Sequence, residues 1–211
     1  MSATPPTRST YRHGDLRRAL LDAGIEMARD GGPDAVVLRE ATRRVGVAPN
    51  AAYRHFADRQ ALLDAVCSAA QATLADAMEC QLAVLPPAAD DAAAARARLR
   101  AVGTGYLSFA VAEPGLFRTA FSVPADLSTA SSPDKRGGRD RAPLEILTDV
   151  LDEMVKAGAL APQRRPRAEF LAWSAVHGLA TLLIDGPLRA FGSAGLGDLG
   201  TRLLDMVEKG L

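Results

Sequence analysis

The chain has 211 residues, 48% hydrophobic and 24% charged, which suffices for a core shared by one domain or two small ones and excludes a disordered or fibrous chain. Aromatics are only 5%, and no stretch alternates apolar and polar residues with β-branched enrichment, so an all-β fold is excluded and an all-α fold is predicted. The formal net charge is zero, yet the first sixty residues hold ten arginines, no lysine and seven acids, a local excess of positive charge that suits an N-terminal end meeting a polyanion.

Residues 1–12, with Pro5, Pro6 and several hydroxyls, read as a flexible basic arm carrying Arg8 and Arg12, and they lack the apolar run of a signal peptide. Leu16, Ala19, Leu20, Ala23 and Met27 recur at helical spacing and predict a first helix that stops at Gly31-Gly32-Pro33. A short second helix follows, with Leu38, Ala41, Thr42 and Val45 inward, and Gly46 forces a turn. Pro49 suits the first turn of a third helix about two turns long, with Ala52, Tyr53 and Phe56 on one side. Asp58 is a suitable N-cap for a long fourth helix whose stripe is Leu62, Val66, Ala70, Thr73 and Ala77.

Beyond Pro86-Pro87, helices are predicted over Ala92–Ala112, Pro114–Phe121, Pro143–Ala157, Pro166–Asp185 and roughly Ala194–Lys209, about nine in all with no strand. The Ser/Pro/Gly-rich stretch 124–141 between them is predicted to be a mobile loop. Cys67 and Cys80, thirteen positions apart on one helix, cannot bridge each other and are predicted to be buried small hydrophobes. No apolar run is long enough to cross a bilayer, so a cytoplasmic protein without a membrane partner is expected.

A two-turn third helix is not stable alone, so Ala41, Val45, Ala52, Tyr53 and Phe56 have to be clamped by the first and fourth helices. Short helices joined by a tight turn and followed by a connector describe a helix-turn-helix domain over residues 13–58, with residues 59–211 as a second domain. Asn50, Ala51, Arg54 and His55 are then left outward on the third helix. An arginine can take guanine O6 and N7 bidentately, and an asparagine can do the same for adenine N6 and N7. Arg39, Tyr53, His55 and Arg59 fall where phosphates flank a docked recognition helix. Exposed Arg17, Arg18, Arg43 and Arg44 read equally well as a solvated face.

The run Val36 to Val47, then Tyr53-Arg54-His55-Phe56, then Arg59-Gln60-Ala61-Leu62-Leu63, resembles the DNA-binding domain of the TetR family of transcriptional regulators. Trp173-Ser174-Ala175-Val176-His177-Gly178, with Glu113-Pro114-Gly115-Leu116-Phe117 before it, resembles the effector domain of a branch of that family with a Trp, His, Gly signature. Two positions depart from the pattern: Ala48 and Val37 stand where a hydroxyl helix cap is usual, so capping there comes from elsewhere or is weaker. The resemblance implies a repressor that binds double-stranded DNA as a homodimer and responds to a small molecule.

The aromatics gather in the second domain. They suit an apolar effector cavity lined by Tyr106, Phe109, Phe117, Phe121, Leu147, Leu151, Trp173 and His177, although aromatics also fill ordinary cores. The Pro166–Asp185 helix is apolar nearly all round, which assigns a second face, Leu171, Ser174, Gly178 and Leu182, to a dimer seam continued by Leu199, Leu203 and Met206. The pseudo-palindromic operator expected for such a dimer follows from two-fold symmetry. Gly195 to Gly200 spells a dinucleotide fingerprint but lacks the strand that would make it one, and His13, His55 and His177 are too dispersed for a metal site, so neither cofactor nor metal is expected. The competing class is a helical carrier or enzyme that retains an unused helix-turn-helix.

Overall fold

The computed structural model describes residues 16–123, 126–191 and 196–211, and among them stand nine α-helices and no strand. The arm with Arg8 and Arg12, together with His13, lies outside the described residues.

Helix α1, Leu16–Gly31, turns Leu16, Leu20, Ala23 and Met27 inward and stops where Gly32 takes φ 71°. Helix α2, Leu38–Val45, ends at Gly46, whose φ of 76° is the left-handed conformation that a side chain would strain. The Gly46 N–H bonds Arg43 O at 3.2 Å and the Val47 N–H bonds Thr42 O at 3.0 Å, which sets the turn. Helix α3, Pro49–Ala52, is a single turn rather than the two expected. The chain has to reverse between Ala52 and the extended Asp58 to start α4, and it does so around the buried Phe56, with Arg17 stacked over that ring at 5.2 Å.

Helix α4, Arg59–Ala83, is capped by Asp58, which accepts from the Ala61 N–H at 2.8 Å. Its buried residues after Ala70 include Leu74 and Met78; Thr73 is exposed and Ala77 half-buried. The expected stripe is corrected there because α4 packs on both sides, against α1 and α6 and against α5 and α7, and the larger apolar residues take the core.

Helices α5 (Asp91–Ala112), α6 (Pro114–Ala120), α7 (Pro143–Lys156), α8 (Ala168–Ile184) and α9 (Thr201–Gly210) complete the second domain. Helix α6 wedges between α1 and α4. At Gly115 it meets α1 so closely that a Cβ would collide with both Ala28 O and Arg29 O, and Arg29 Nε pairs with Glu113 at 2.8 Å beside that contact.

Two expectations are corrected here. Residues 126–141 are fastened to α4 and α7: the Gly138 N–H donates to Asp76 at 2.6 Å, Arg141 Nε to Glu79 at 2.8 Å and Arg136 to Glu145 at 2.8 Å. Polar composition suggested mobility, but opposite charges on neighbouring helices hold the segment. Cys67 is buried, whereas Cys80 is exposed because it lies on the solvent side of α4 near its end.

Candidate functional site

On the helix-turn-helix, Asn50, Tyr53 and Arg54 are exposed, Tyr53 by 50%, and so is Arg39 at the start of α2. The neighbouring arginines are engaged locally. Arg43 and Arg44 fold onto Glu40 at 2.7 and 3.2 Å, and Arg18 onto Asp22 at 2.9 Å. The hydrogen bonds from Arg43 and then Arg44 hold the Glu40 carboxyl down at about 2. Among the described residues Arg39 and Arg54 form no ion pair and are exposed, so their guanidiniums are open to a phosphate or a base; Arg17 and Arg59 also form none, but the first lies over the Phe56 ring and the second bonds backbone carbonyls. His55 is half-buried, and Ala51, expected outward, packs at the core's edge because the one-turn helix presses against its neighbours.

Arg59, expected on a phosphate, is exposed, and its guanidinium is engaged by backbone carbonyls. Its Nε and Nη2 donate to Val36 O and Pro33 O, each at 2.8 Å, tying the start of α4 to the segment before α2. Those carbonyls precede α2, and a planar guanidinium can bridge two of them at once. Neither Val37 nor Ala48 supplies a side-chain cap, so α2 and α3 rely on such ties and on packing.

The second domain holds a cavity of about 460 Å³ that is partly open to solvent. Tyr106, Phe121, Leu147, Trp173 and His177 stand on its wall. Phe109, Phe117 and Leu151 do not, which corrects their expected placement: all three are buried in the surrounding core. Phe117 forms a layer behind the wall, edge-on to Tyr106 at 5.6 Å and tilted on Phe121 at 5.2 Å.

Three of the wall's polar side chains are bonded to one another. Trp173 Nε1–H donates to Tyr106 Oη at 3.1 Å, and Tyr106 Oη lies 2.8 Å from His177 Nδ1. Burial pushes the Tyr106 phenol up, so it keeps its proton, and burial lowers the His177 imidazole toward the neutral form. With both groups neutral, the Tyr106–His177 bond is made either by the tyrosine O–H donating to Nδ1 or by Nδ1–H donating to the phenol oxygen, according to the tautomer. Sequence reasoning missed Gln71, whose amide donates to Ala120 O at 2.7 Å, and Lys135; both line the cavity. Their signal was weak, since Gln71 lies within a long helix and Lys135 within a stretch read as loop.

On α8 an apolar strip faces solvent, with Leu171 65% exposed and Gly178 and Leu182 exposed as well; Ser174, also exposed, lines the cavity too, so the expected seam and the cavity meet at that residue. A Cβ on Gly178 would meet nothing within 4 Å. Met206 on α9 is 59% exposed, while Leu199 and Leu203 are half-buried and packed on the core.

A one-turn helix displayed beyond a left-handed glycine turn, joined by one long helix to a domain with an aromatic cavity, defines a DNA-binding transcriptional regulator. The family model described as bacterial regulatory proteins, tetR family, matches residues 20–66, and that described as tetracyclin repressor-like, C-terminal domain, matches residues 99–207. The chain belongs to the TetR family. Among solved structures, a protein of unknown function from a Rhodococcus species is 28% identical, with a TM-score of 0.71 over 97% of this chain and 99% of that one. The TetR family transcriptional regulator PfmR from Thermus thermophilus is 19% identical, with a TM-score of 0.55 over 91% and 98% of the two chains. A TetR-family regulator from Pectobacterium atrosepticum is 20% identical, with a TM-score of 0.58 over 96% and 93%. Among curated proteins there is no match. No helix among the described residues is long and apolar enough to cross a membrane.

Proposed function

We propose that the chain is a cytoplasmic, homodimeric repressor whose hold on a pseudo-palindromic operator weakens when a small apolar effector enters the cavity. One observation carries the reading: α4 belongs to both ends. Its first residue, Arg59, is tied to the segment before α2, and Gln71 and Met78 further along it line the cavity. An effector that favours a shifted α4 over the DNA-competent one lowers operator affinity by that difference in binding.

The exposed strip on α8 supports the dimer, since an apolar helix face left open in one chain is covered when a two-fold copy meets it. Two recognition helices then stand about 34 to 36 Å apart, or a helical-turn multiple of that. Asn50 and Arg54 read bases, and Arg39, Tyr53 and His55 hold the backbone.

The test is fluorescence anisotropy with labelled DNA from upstream of the chain's own gene, run beside sedimentation. Expected are saturable binding in competition with bulk DNA, a dimer at micromolar concentration, and a monomer for Gly178→Arg. A wild-type monomer, or binding no tighter than to random DNA, would end this reading.

A further inference from the structure

Two charged side chains are buried among the described residues, Glu79 and Lys135, and they are partnered very differently. Glu79 lies between Arg141 at 2.8 Å and Arg139 at 3.5 Å, so its charge is matched. The ammonium of Lys135, a residue only 6% exposed, has one hydrogen bond among the described residues, to Thr129 Oγ1 at 3.3 Å. That hydroxyl donates to Asp126 O at 2.9 Å, which leaves its oxygen to accept from the ammonium. An ammonium has three donors and is strongly penalised when it leaves water without a counter-charge.

Among the described residues neither nearby acid forms an ion pair with it: Asp126, on the cavity wall, receives the Ser128 N–H at 2.8 Å, and Asp134, bonded to the Ser132 and Ser68 side chains, acts on Lys135 only as a neighbouring charge. Lys135 lines the cavity, so the missing partner can come from inside it. The other cation on the wall, Arg100, is already held by Asp205 and Glu208. The residue type fits as well: a chain with only three lysines places one here, and a compact ammonium leaves fewer donors unmet in an empty site than a guanidinium would.

We infer that the cavity takes a small organic monocarboxylate, its carboxylate on the Lys135 ammonium and its hydrocarbon body against Phe121 and Trp173. The inference rests on the effector reading of the cavity and specifies it. A single cation without an ion pair suits a single negative charge, and the largely apolar wall suits an aliphatic or aryl chain.

The probes are matched pairs titrated into the full-length protein: octanoate beside octan-1-ol, and 4-phenylbutyrate beside 4-phenylbutan-1-ol. Binding is followed by the fluorescence of Trp173, the chain's one tryptophan, and by calorimetry. Each acid is expected to bind at least about tenfold tighter than its alcohol. Lys135→Met should bring the acid to within about twofold of the alcohol and leave the alcohol unchanged. Alcohols that match their acids in the wild-type protein would overturn the inference while leaving the apolar cavity as a binding site. If neither acids nor alcohols perturb Trp173 or release heat up to millimolar concentration, both readings fall. A folded Lys135→Met protein that keeps the full preference would also overturn the inference, since the anion would then be held elsewhere.

Discussion

The two regions that α4 connects differ in how their polar atoms are used. In the helix-turn-helix, Arg39, Asn50, Tyr53 and Arg54 face solvent on a head whose core is made of a few aliphatic residues and Phe56. In the second domain the polar atoms of Tyr106, Trp173 and His177 are joined to one another inside an apolar wall. Side chains that touch little can be exchanged one at a time with a local effect, whereas mutually satisfied ones cannot be removed without orphaning a partner. The head should therefore report substitutions on DNA, and the second domain should report them on stability and ligand binding together.

The largest effect expected from that contrast is on folding. Phe117→Ala, which empties the layer behind the cavity wall, should lower stability by about 3 to 5 kcal/mol in urea denaturation, while Arg54→Ala should stay within about 0.5 kcal/mol. Comparable losses would erase the contrast. On DNA the order reverses. Arg54→Ala should cost about 1 to 3 kcal/mol per half-site and relax preference at one base pair, and Arg39→Ala should weaken all sequences alike and flatten the salt dependence. A panel of singly substituted operators measures both, and intact discrimination in Arg54→Ala would show that another residue reads that base.

Asp58→Ala probes the junction, where loss of the α4 cap should cost about 1 kcal/mol by thermal unfolding. The smallest effect is a pH dependence. Burial lowers the His177 pKa in the folded chain, so the folded state binds a proton less readily than the unfolded state. Stability should therefore fall as pH drops below about 6.5, the ordinary imidazole value, and level off only below the folded pKa. His177→Gln should flatten the stability profile between about pH 7 and 5, and an unchanged slope would place the titration elsewhere.

The head was largely legible in the sequence because its signals are local: Gly46 for the turn, Pro49 at a helix start and Asp58 as a cap all act within a few residues. The direction of Arg59 was not, since its partners, Val36 O and Pro33 O, come from the segment before α2. The cavity was half legible. Helical spacing identifies apolar faces, but whether a face fills a core or borders a void depends on how far neighbouring helices stand apart, and that separated Phe121 from Phe117. Lys135 was hidden because the polar segment around it reads as solvent-exposed loop until Glu79 and Asp76 of α4 fasten it down.

Gly115 has a mechanical meaning. Between most packed helices, side chains act as springs, because rotamers can change and methyl groups can slide to absorb small shifts. Where α6 meets α1 there is no such spring: backbone rests on backbone, against the carbonyls of Ala28 and Arg29. Peptide planes do not yield as side chains do. A push delivered to α6 from Phe121, one residue beyond its end and on the cavity wall, therefore reaches α1 with little slack to absorb it.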